Sequence, residues 1–216
     1  MAARLQPTHQ ARLGTREVDI GHADLGESQR RGPAAQPRQQ VIPVEHTALT
    51  ALTAHQRHAS ILGSRDLVWA SEADCAASAR ALAHHEALRN AFIELRGPLG
   101  AGKTTFVRHL LRALGVLGRV KSPSYAVVEP HEAATPSGAL HIWHFDFFRF
   151  KDPNEWEDAG FRDLFAAEGL KLAEWPEKAL GVLPRPDLRI DIAPLENDSR
   201  HARVCALTPR GLELLK

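Results

Sequence analysis

A glycine-rich segment constrains this chain more than any other feature of its sequence. Residues 97–104 read Gly-Pro-Leu-Gly-Ala-Gly-Lys-Thr, a full match to the pattern G-x-x-x-x-G-K-[ST]. Glycines allow backbone angles that other residues avoid, so successive N–H groups can point inward at phosphate oxygens. The segment follows a short apolar run at 91–95 and precedes residues 107–114, whose apolar spacing is typical of an amphipathic helix. This order of strand, loop and helix predicts a phosphate-binding loop.

Each part of the loop has a predicted contact with a nucleotide. The Lys103 ammonium is predicted to bridge the β and γ phosphates, and the Thr104 hydroxyl is predicted to be a ligand of Mg²⁺. The helix that follows adds the positive end of its dipole, and Phe106 within it is expected in the core. The predicted nucleotide-binding residues of the loop are Gly97, Leu99, Gly100, Ala101, Gly102, Lys103, Thr104 and Thr105.

Charge, hydropathy and cysteine content limit the classes of protein to which this loop can belong. The chain has 216 residues and a formal net charge of +1, which argues against affinity based on general attraction to DNA, RNA or anionic membranes. No apolar run approaches the roughly 20 residues that cross a bilayer. Cys75 and Cys205 lack CxxC spacing, so neither a disulfide framework nor a cysteine-based zinc site is expected. The predicted location is a reducing cytoplasm.

The composition changes sharply along the chain. Every Phe, Trp and Tyr lies at Trp69 or later, and the first 65 residues hold eight Arg, no Lys and five acidic residues. Their Gln-rich and Pro-broken stretches offer little apolar surface to offset the entropy lost on ordering. We therefore expect a disordered extension over 1–65, which includes a weak helical pattern at 44–58. One P-loop ATPase domain is expected over 66–210, followed by a C-terminal tail over 211–216.

The elements around the loop indicate the fold class. Residues 71–74 resemble a capping box that opens a helix ending near residue 88. A polar loop is expected at 131–138, between predicted strands at 124–129 and 140–148. The predicted strands after the loop helix cover 124–129, 140–148, 170–174, 188–192 and 203–207. Some are joined by short turns typical of antiparallel pairs, so we predict an α/β fold, a P-loop NTPase-like mixed β-sheet with flanking helices.

Three acidic residues lie on or near the ends of predicted strands: Asp146, Glu174 and Asp191. Hydrolysis at a phosphate-binding loop needs a carboxylate near Mg²⁺ and a group that positions the attacking water. Asp191 lies within a regular polar-apolar alternation and is predicted to be a solvated sheet residue. Asp146 lies among aromatic residues, where a buried carboxylate needs a partner. That partner is either a metal or Arg149, and the residues alone leave both open.

Four motifs in a fixed order resemble the TsaE family. They are the loop at 97–104, Lys121-Ser122-Pro123-Ser124-Tyr125, His144-Phe145-Asp146-Phe147-Phe148-Arg149 and Glu174-Trp175-Pro176. The resemblance covers about residues 67–208. The family usually has Thr where this chain has Ser124, and Tyr where it has Phe148. The indole of Trp175 either shapes the nucleotide pocket or packs in the core, and the sequence leaves both open.

The resemblance to TsaE implies an ATP-binding and ATP-hydrolysing, Mg²⁺-dependent component of the tRNA threonylcarbamoyladenosine machinery. In that family, the partners TsaB and TsaD transfer the threonylcarbamoyl group to the adenosine beside the anticodon. The ATPase docks on them and resets their complex between turnovers. Hydrolysis is therefore expected to be slow alone and faster with the partners. Contact with tRNA is expected only through the partner complex.

The resemblance also assigns roles to individual residues. It implies that Asp146 and Glu174 serve Mg²⁺ and the hydrolytic water beside Lys103, and that Thr104 is a further metal ligand. It adds Glu72, Ser122 and Arg200 to the nucleotide-binding residues. Two other functional classes stay open on the residues, a P-loop small-molecule kinase and a non-catalytic nucleotide-binding adaptor. A kinase usually carries a lid with several Arg, which the scattered arginines of this chain do not predict.

Overall fold

The computed structural model describes residues 60–152, 155–158 and 160–216. The expectations for residues 1–59, including the helical pattern at 44–58, lie outside these ranges. Among the described helices, none combines the length and hydropathy that a membrane span requires.

Within the described residues, seven strands form one mixed sheet in the order β1-β7-β6-β2-β5-β4-β3. The strands are β1 (Gly63–Trp69), β2 (Phe92–Arg96), β3 (Val128–Thr135), β4 (Gly138–Asp146), β5 (Leu170–Glu174), β6 (Leu188–Pro194) and β7 (Arg200–Ala206). The helices are α1 (Glu72–Ala83), α2 (Lys103–Ala113), α3 (Glu155–Asp158), α4 (Phe161–Ala166) and α5 (Pro209–Leu214). The central pairs among β4, β5, β2 and β6 are parallel, whereas β3, β7 and β1 pair antiparallel. The predicted mixed α/β fold with flanking helices is confirmed.

One face of the sheet packs against the helix that follows the loop. Phe106, Val107, Leu110 and Leu111 of α2 are buried in one cluster with Ile93 and Leu95 of β2. This confirms the amphipathic helix and the core position of Phe106. Because α2 begins at Lys103, its packing fixes the position of the preceding loop.

The opposite face of the sheet carries an aromatic cluster. Its buried aromatic members are Phe92, Phe145, Phe147, Phe150, Trp156 and Phe161. The rings contact one another edge-on and stacked, for example Phe145 and Phe161 with ring centroids 5.5 Å apart. Because side chains alternate along β4, His144 and Asp146 face away from this cluster, toward α2.

Several predicted elements differ from the structure. Strand β3 covers residues 128–135, so the strand predicted at 124–129 begins too early. The prediction of a polar loop at 131–138 is wrong for most of those residues. β3 is an edge strand with polar residues on its exposed side, which hides the strand pattern. The capping box at Ser71 is confirmed, but α1 ends at Ala83. A 3₁₀ turn at Glu86–Asn90 follows, because the chain must turn there to enter β2.

Two elements at the ends of the described chain were not predicted. Strand β1 begins at Gly63, so residues 63–65 of the expected extension belong to the sheet. Helix α5 covers Pro209–Leu214, with the Thr208 side chain capping its first turn.

Candidate nucleotide-binding site

The loop at 97–104 joins β2 to α2, and two of its positions require glycine. Gly97 has φ +140°, and a Cβ there would lie 2.2 Å from the carbonyl oxygen of Ile192 in β6. Gly102 has φ +110° and caps the N-terminus of α2. Other residues are strained at such angles. The glycines therefore let the loop pass close to β6 and place the positive end of the α2 dipole at the loop.

The Lys103 side chain is buried and folds back onto the loop. Its Nζ donates to the carbonyl oxygen of Gly97 at 2.6 Å and to that of Pro98 at 3.0 Å. The same ammonium lies 3.8 Å from the ring centroid of Trp175. Burial lowers the pKa of Lys103, and nearby carboxylates, led by Glu174, oppose that shift. The lysine is thus held at the mouth of the loop by carbonyls, an aromatic face and negative charge.

Glu174 ends β5 and is bonded at both carboxylate oxygens. Thr104 donates its hydroxyl to Oε2 at 2.9 Å. The Nε2 atom of His144 lies 2.9 Å from Oε1. The side chains of Glu174 and His144 are almost completely buried. A direct contact therefore joins the loop to an acid at the end of a neighbouring strand.

Asp146 ends β4 and stands opposite Glu174 in the parallel register. Its Oδ2 accepts from the hydroxyls of Ser122 and Ser124, and its Oδ1 accepts from the Phe148 N–H at 2.9 Å. The Arg149 guanidinium lies over a different group, the Tyr125 ring, 4.0 Å from its centroid. The structural Asp146–Arg149 pair considered from the sequence is therefore absent between these two described residues. Two serines of the motif at 121–125 bind Asp146.

Two cavities meet at the loop. The first, of about 410 Å³, is lined by Leu99 to Thr105, Ser122, Ser124, Tyr125, Asp146, Phe148, Arg149, Glu174 and Trp175. The second, of about 210 Å³, is lined by Trp69, Ser71, Glu72, Cys75, Gly100 to Gly102, Thr105, Asp198 and Arg200. The backbone at 100–102 borders both cavities. A single extended ligand can therefore occupy both sides of the loop.

The predicted site residues line these cavities except Gly97, whose carbonyl oxygen accepts a hydrogen bond from Lys103. At the second cavity, the Arg200 Nε donates to the carbonyl oxygen of Ala101 at 3.1 Å. Glu72 lies 2.9 Å from the ring of His109 on α2. Burial raises the pKa of the neighbouring Cys75 thiol to about 12.

Sequence reasoning missed some residues of the site and placed others correctly. The alternation in β4 puts His144 on the face of Asp146, but nothing in the sequence pairs it with Glu174 on another strand. Trp175, whose role was left open, lines the first cavity and has a left-handed backbone at φ +57°. Asp191 pairs with Arg189 at 2.9 Å and lines neither loop cavity, as predicted for a solvated sheet residue.

The oxygen donors of the first cavity fit Mg²⁺. Within the described ranges, no three His, Cys, Asp or Glu side chains cluster as a metal cage does. Asp146 and Glu174 stand side by side with the Thr104 hydroxyl. Mg²⁺ binds through one or two carboxylates and completes its shell with water and substrate phosphates. A pair of carboxylates beside a phosphate-binding loop matches that preference, whereas zinc favours nitrogen and sulfur ligands.

The fold and the site together define a class. A phosphate-binding loop between β2 and α2, with acids ending the neighbouring strands of a mixed sheet, defines a nucleotide-binding protein of the P-loop α/β class. The family model described as "Threonylcarbamoyl adenosine biosynthesis protein TsaE" matches residues 69–202. The chain belongs to the TsaE family.

Individual relatives agree with this family. The chain is 41% identical over 123 residues to the tRNA threonylcarbamoyladenosine biosynthesis protein TsaE of Haemophilus influenzae, covering 57% of this chain and 75% of that protein. It is 33% identical over 118 residues to the protein of the same name from Bacillus subtilis, covering 55% and 71%. Among solved structures, YdiB from Bacillus subtilis matches with a TM-score of 0.58 at 24% identity. That match covers 72% of this chain and 94% of YdiB, and it shows the shared fold.

Proposed function

We propose that the chain is the Mg²⁺-dependent ATPase of the tRNA threonylcarbamoyladenosine machinery and resets a TsaB–TsaD complex between turnovers. The observation that carries the proposal is the hydrogen bond from Thr104 to Glu174, which joins the loop to a buried acid beside Asp146. The names of the TsaE relatives supply the pathway.

The two cavities give the nucleotide an orientation. The triphosphate occupies the first cavity, where Lys103 and the loop amides face its negative charge. The nucleoside occupies the second cavity, between α1 and the start of β7. The loop backbone at 100–102 lies between them, so the chain of phosphates runs along it.

The residues of the first cavity divide the chemistry. Thr104, Asp146 and Glu174 would hold Mg²⁺, which would neutralise part of the charge of the phosphates. Lys103 stabilises the negative charge that develops on the transferred phosphoryl group. Glu174 also accepts a hydrogen bond from the attacking water and orients it toward the γ-phosphate.

The serines on Asp146 couple the site to the protein surface. Because Ser122 and Ser124 donate to one oxygen of Asp146, any ligand of that oxygen competes with both hydroxyls. The same segment carries Tyr125, which is 86% exposed, and Leu99, which lines the same cavity, is 79% exposed. Exposed apolar side chains at the mouth of a site are typical of protein contacts. This rim is where the TsaB–TsaD complex docks.

The proposal is tested by coupling hydrolysis to transfer. The purified chain is expected to hydrolyse ATP slowly alone, and faster when TsaB and TsaD from the same organism are added. Threonylcarbamoyl transfer by TsaB–TsaD is expected to stop near one product per complex without the chain, and to continue over many turnovers with the chain and ATP. Both are measured with labelled ATP and labelled threonine.

Three outcomes contradict parts of the proposal. Brisk hydrolysis that the partners leave unchanged contradicts partner gating. Multiple rounds of transfer without the chain contradict the resetting role. Phosphorylation of a metabolite in place of water identifies a small-molecule kinase.

Replacing Arg200 with alanine is expected to weaken ATP and ADP binding equally, by roughly tenfold. The reason is the loss of the charged hydrogen bond that the Arg200 guanidinium donates at the second cavity. The rate at saturating ATP should stay unchanged, since the interaction is the same in the ground and transition states. Calorimetry and steady-state kinetics measure both effects. Arg203→Ala, on the same strand but exposed and outside both cavities, is the matched control. A fall in the saturated rate would place Arg200 near the reacting phosphate.

A further inference from the structure

The imidazole of His144 is completely buried and contacts a residue of the proposed site directly. Its Nε2 lies 2.9 Å from Glu174 Oε1, while Glu174 Oε2 accepts from Thr104 at 2.9 Å. One oxygen of the carboxylate therefore faces the loop, and the other faces the histidine.

We propose that His144 is a positioning residue whose Nε2–H holds the Glu174 carboxylate in the orientation that presents its other oxygen to Thr104. This inference rests on the proposed function, because the orientation matters only if Glu174 serves Mg²⁺ and the attacking water. A carboxylate oxygen accepts hydrogen bonds, so the shared proton lies on Nε2.

The burial of the ring supports this role. Within the described residues, Nδ1 of His144 has no hydrogen-bond partner, so the contact with Glu174 accounts for the hydrogen bonding of the ring. A buried nitrogen without a partner is unfavourable, and an apolar side chain at this position would suit the core better. The hydrogen bond to Glu174 therefore accounts for the presence of a histidine at this buried position.

The carboxylate needs such a support. The backbone of Glu174 is fixed in the sheet, where its carbonyl oxygen accepts from the Phe147 N–H at 3.1 Å. The terminal torsion of a glutamate is broad, so the backbone does not fix the plane of the carboxylate. Hydrogen bonds at both oxygens do fix that plane.

A second histidine provides a matched control. His131 of β3 stands opposite Ile142 in the register, two residues from His144, so both rings lie on the same face of the sheet. The Nε2 of His131 is also buried without a hydrogen-bond partner among the described residues. Among the described residues, no hydrogen bond joins His131 to Glu174, so His131→Leu removes a similar ring near His144 and keeps the contact between His144 and Glu174.

The test compares His144→Leu, His144→Gln and His131→Leu with the unaltered chain. The Leu variant of His144 is expected to lower kcat by about 10-fold to 100-fold, with the KM for ATP nearly unchanged. Gln places an amide nitrogen near the position of Nε2 and is expected to restore most of the rate. The second readout is the Mg²⁺ concentration that tightens ADP binding, measured by calorimetry. This Mg²⁺ concentration should rise about tenfold in His144→Leu but not in His144→Gln or His131→Leu.

Several results decide the matter. Unchanged kcat and Mg²⁺ dependence in a folded His144→Leu chain overturn the inference, as does an equal loss in the Leu and Gln variants. If His144→Leu does not fold, His144→Asn is tested in its place, because the shorter amide of Asn does not reach the position of Nε2. Equal activity of the Asn and Gln variants would then overturn the inference. If the unaltered chain has no ATPase activity, the proposed function is contradicted instead. The Mg²⁺ dependence of ADP binding then still tests the role of His144.

Discussion

Replacing Lys103 with methionine is expected to abolish ATP hydrolysis while leaving the fold intact. The ammonium is buried at the mouth of the first cavity, where it contacts two loop carbonyls and the Trp175 ring. Because the ammonium is buried, solvent screens it little, and one positive charge aimed at a developing negative charge has a large effect. The rate is expected to fall by about 1,000-fold or more. ATP binding should also weaken, which calorimetry measures.

The same substitution is not expected to destabilise the protein. Burial of the Lys103 ammonium is unfavourable, as the lowered pKa of the group indicates. Methionine fills a similar volume without a charge, so removal of the buried ammonium offsets the two lost hydrogen bonds to loop carbonyls, and the midpoint of thermal unfolding should stay nearly the same. A loss of activity with an unchanged midpoint assigns the effect to the site.

A second buried lysine is the control for this substitution. Lys171 of β5 is buried, lies 5.0 Å from the centroid of the Trp143 ring and donates to the carbonyl oxygen of Ala167. Burial lowers its pKa as it does for Lys103. It lines neither loop cavity, so Lys171→Met should keep hydrolysis within about twofold, as expected for a group far from the chemistry. Full activity of Lys103→Met would contradict triphosphate binding by the loop.

Replacing Glu174 with glutamine is expected to lower the rate of hydrolysis by about 100-fold or more, the usual loss when a group that accepts a proton or orients water is removed. Glutamine keeps the shape and an oxygen for the Thr104 hydroxyl but removes the negative charge. ADP binding without Mg²⁺ should therefore be nearly unchanged, whereas the gain in affinity on adding Mg²⁺ should be lost. Single-turnover hydrolysis and calorimetry measure the two effects.

The neighbouring Glu177 provides the control for the loss of charge. Its carboxylate also acts on Lys103 electrostatically, but the side chain is exposed and outside the first cavity. Glu177→Gln should leave hydrolysis within about twofold, because an exposed charge is screened by solvent. Unchanged hydrolysis in Glu174→Gln would contradict the role of Glu174 in the reaction, and hydrolysis at only the uncatalysed rate in both chains would support a nucleotide-binding adaptor without catalytic activity.

The sequence predicted the central part of the fold well because its signals are local. The loop at 97–104, helix α2 and strand β5 follow from glycine spacing, a 3.6-residue period and a short run between turns. The acids that end β4 and β5 were found because each lies on or near the end of an apolar strand pattern, although the strand predicted at 140–148 begins and ends two residues later than β4. That they lie side by side depends on strand order, which local patterns do not contain.

The outer strands and the fine structure of the site were not predictable in this way. β1 and β3 form the two edges of the sheet, where exposed polar residues weaken the alternation that marks a strand. The contacts of Asp146 with Ser122 and Ser124 join segments more than twenty residues apart. Such contacts arise from packing, so the residues alone left the partner of Asp146 open.

The two-residue repeat of β4 ties the stability of the protein to its chemistry. Phe145 and Phe147 are packed in the aromatic cluster, and Asp146 between them lines the first cavity on the opposite face. Deleting one residue within this stretch would turn the carboxylate into the aromatic cluster and a phenyl ring toward the first cavity. Residues 136 and 137 of the hairpin turn between β3 and β4 are exposed and line neither loop cavity. We therefore expect an inserted or deleted residue to be tolerated at that turn. The same change a few residues later would disrupt both the aromatic cluster and the site.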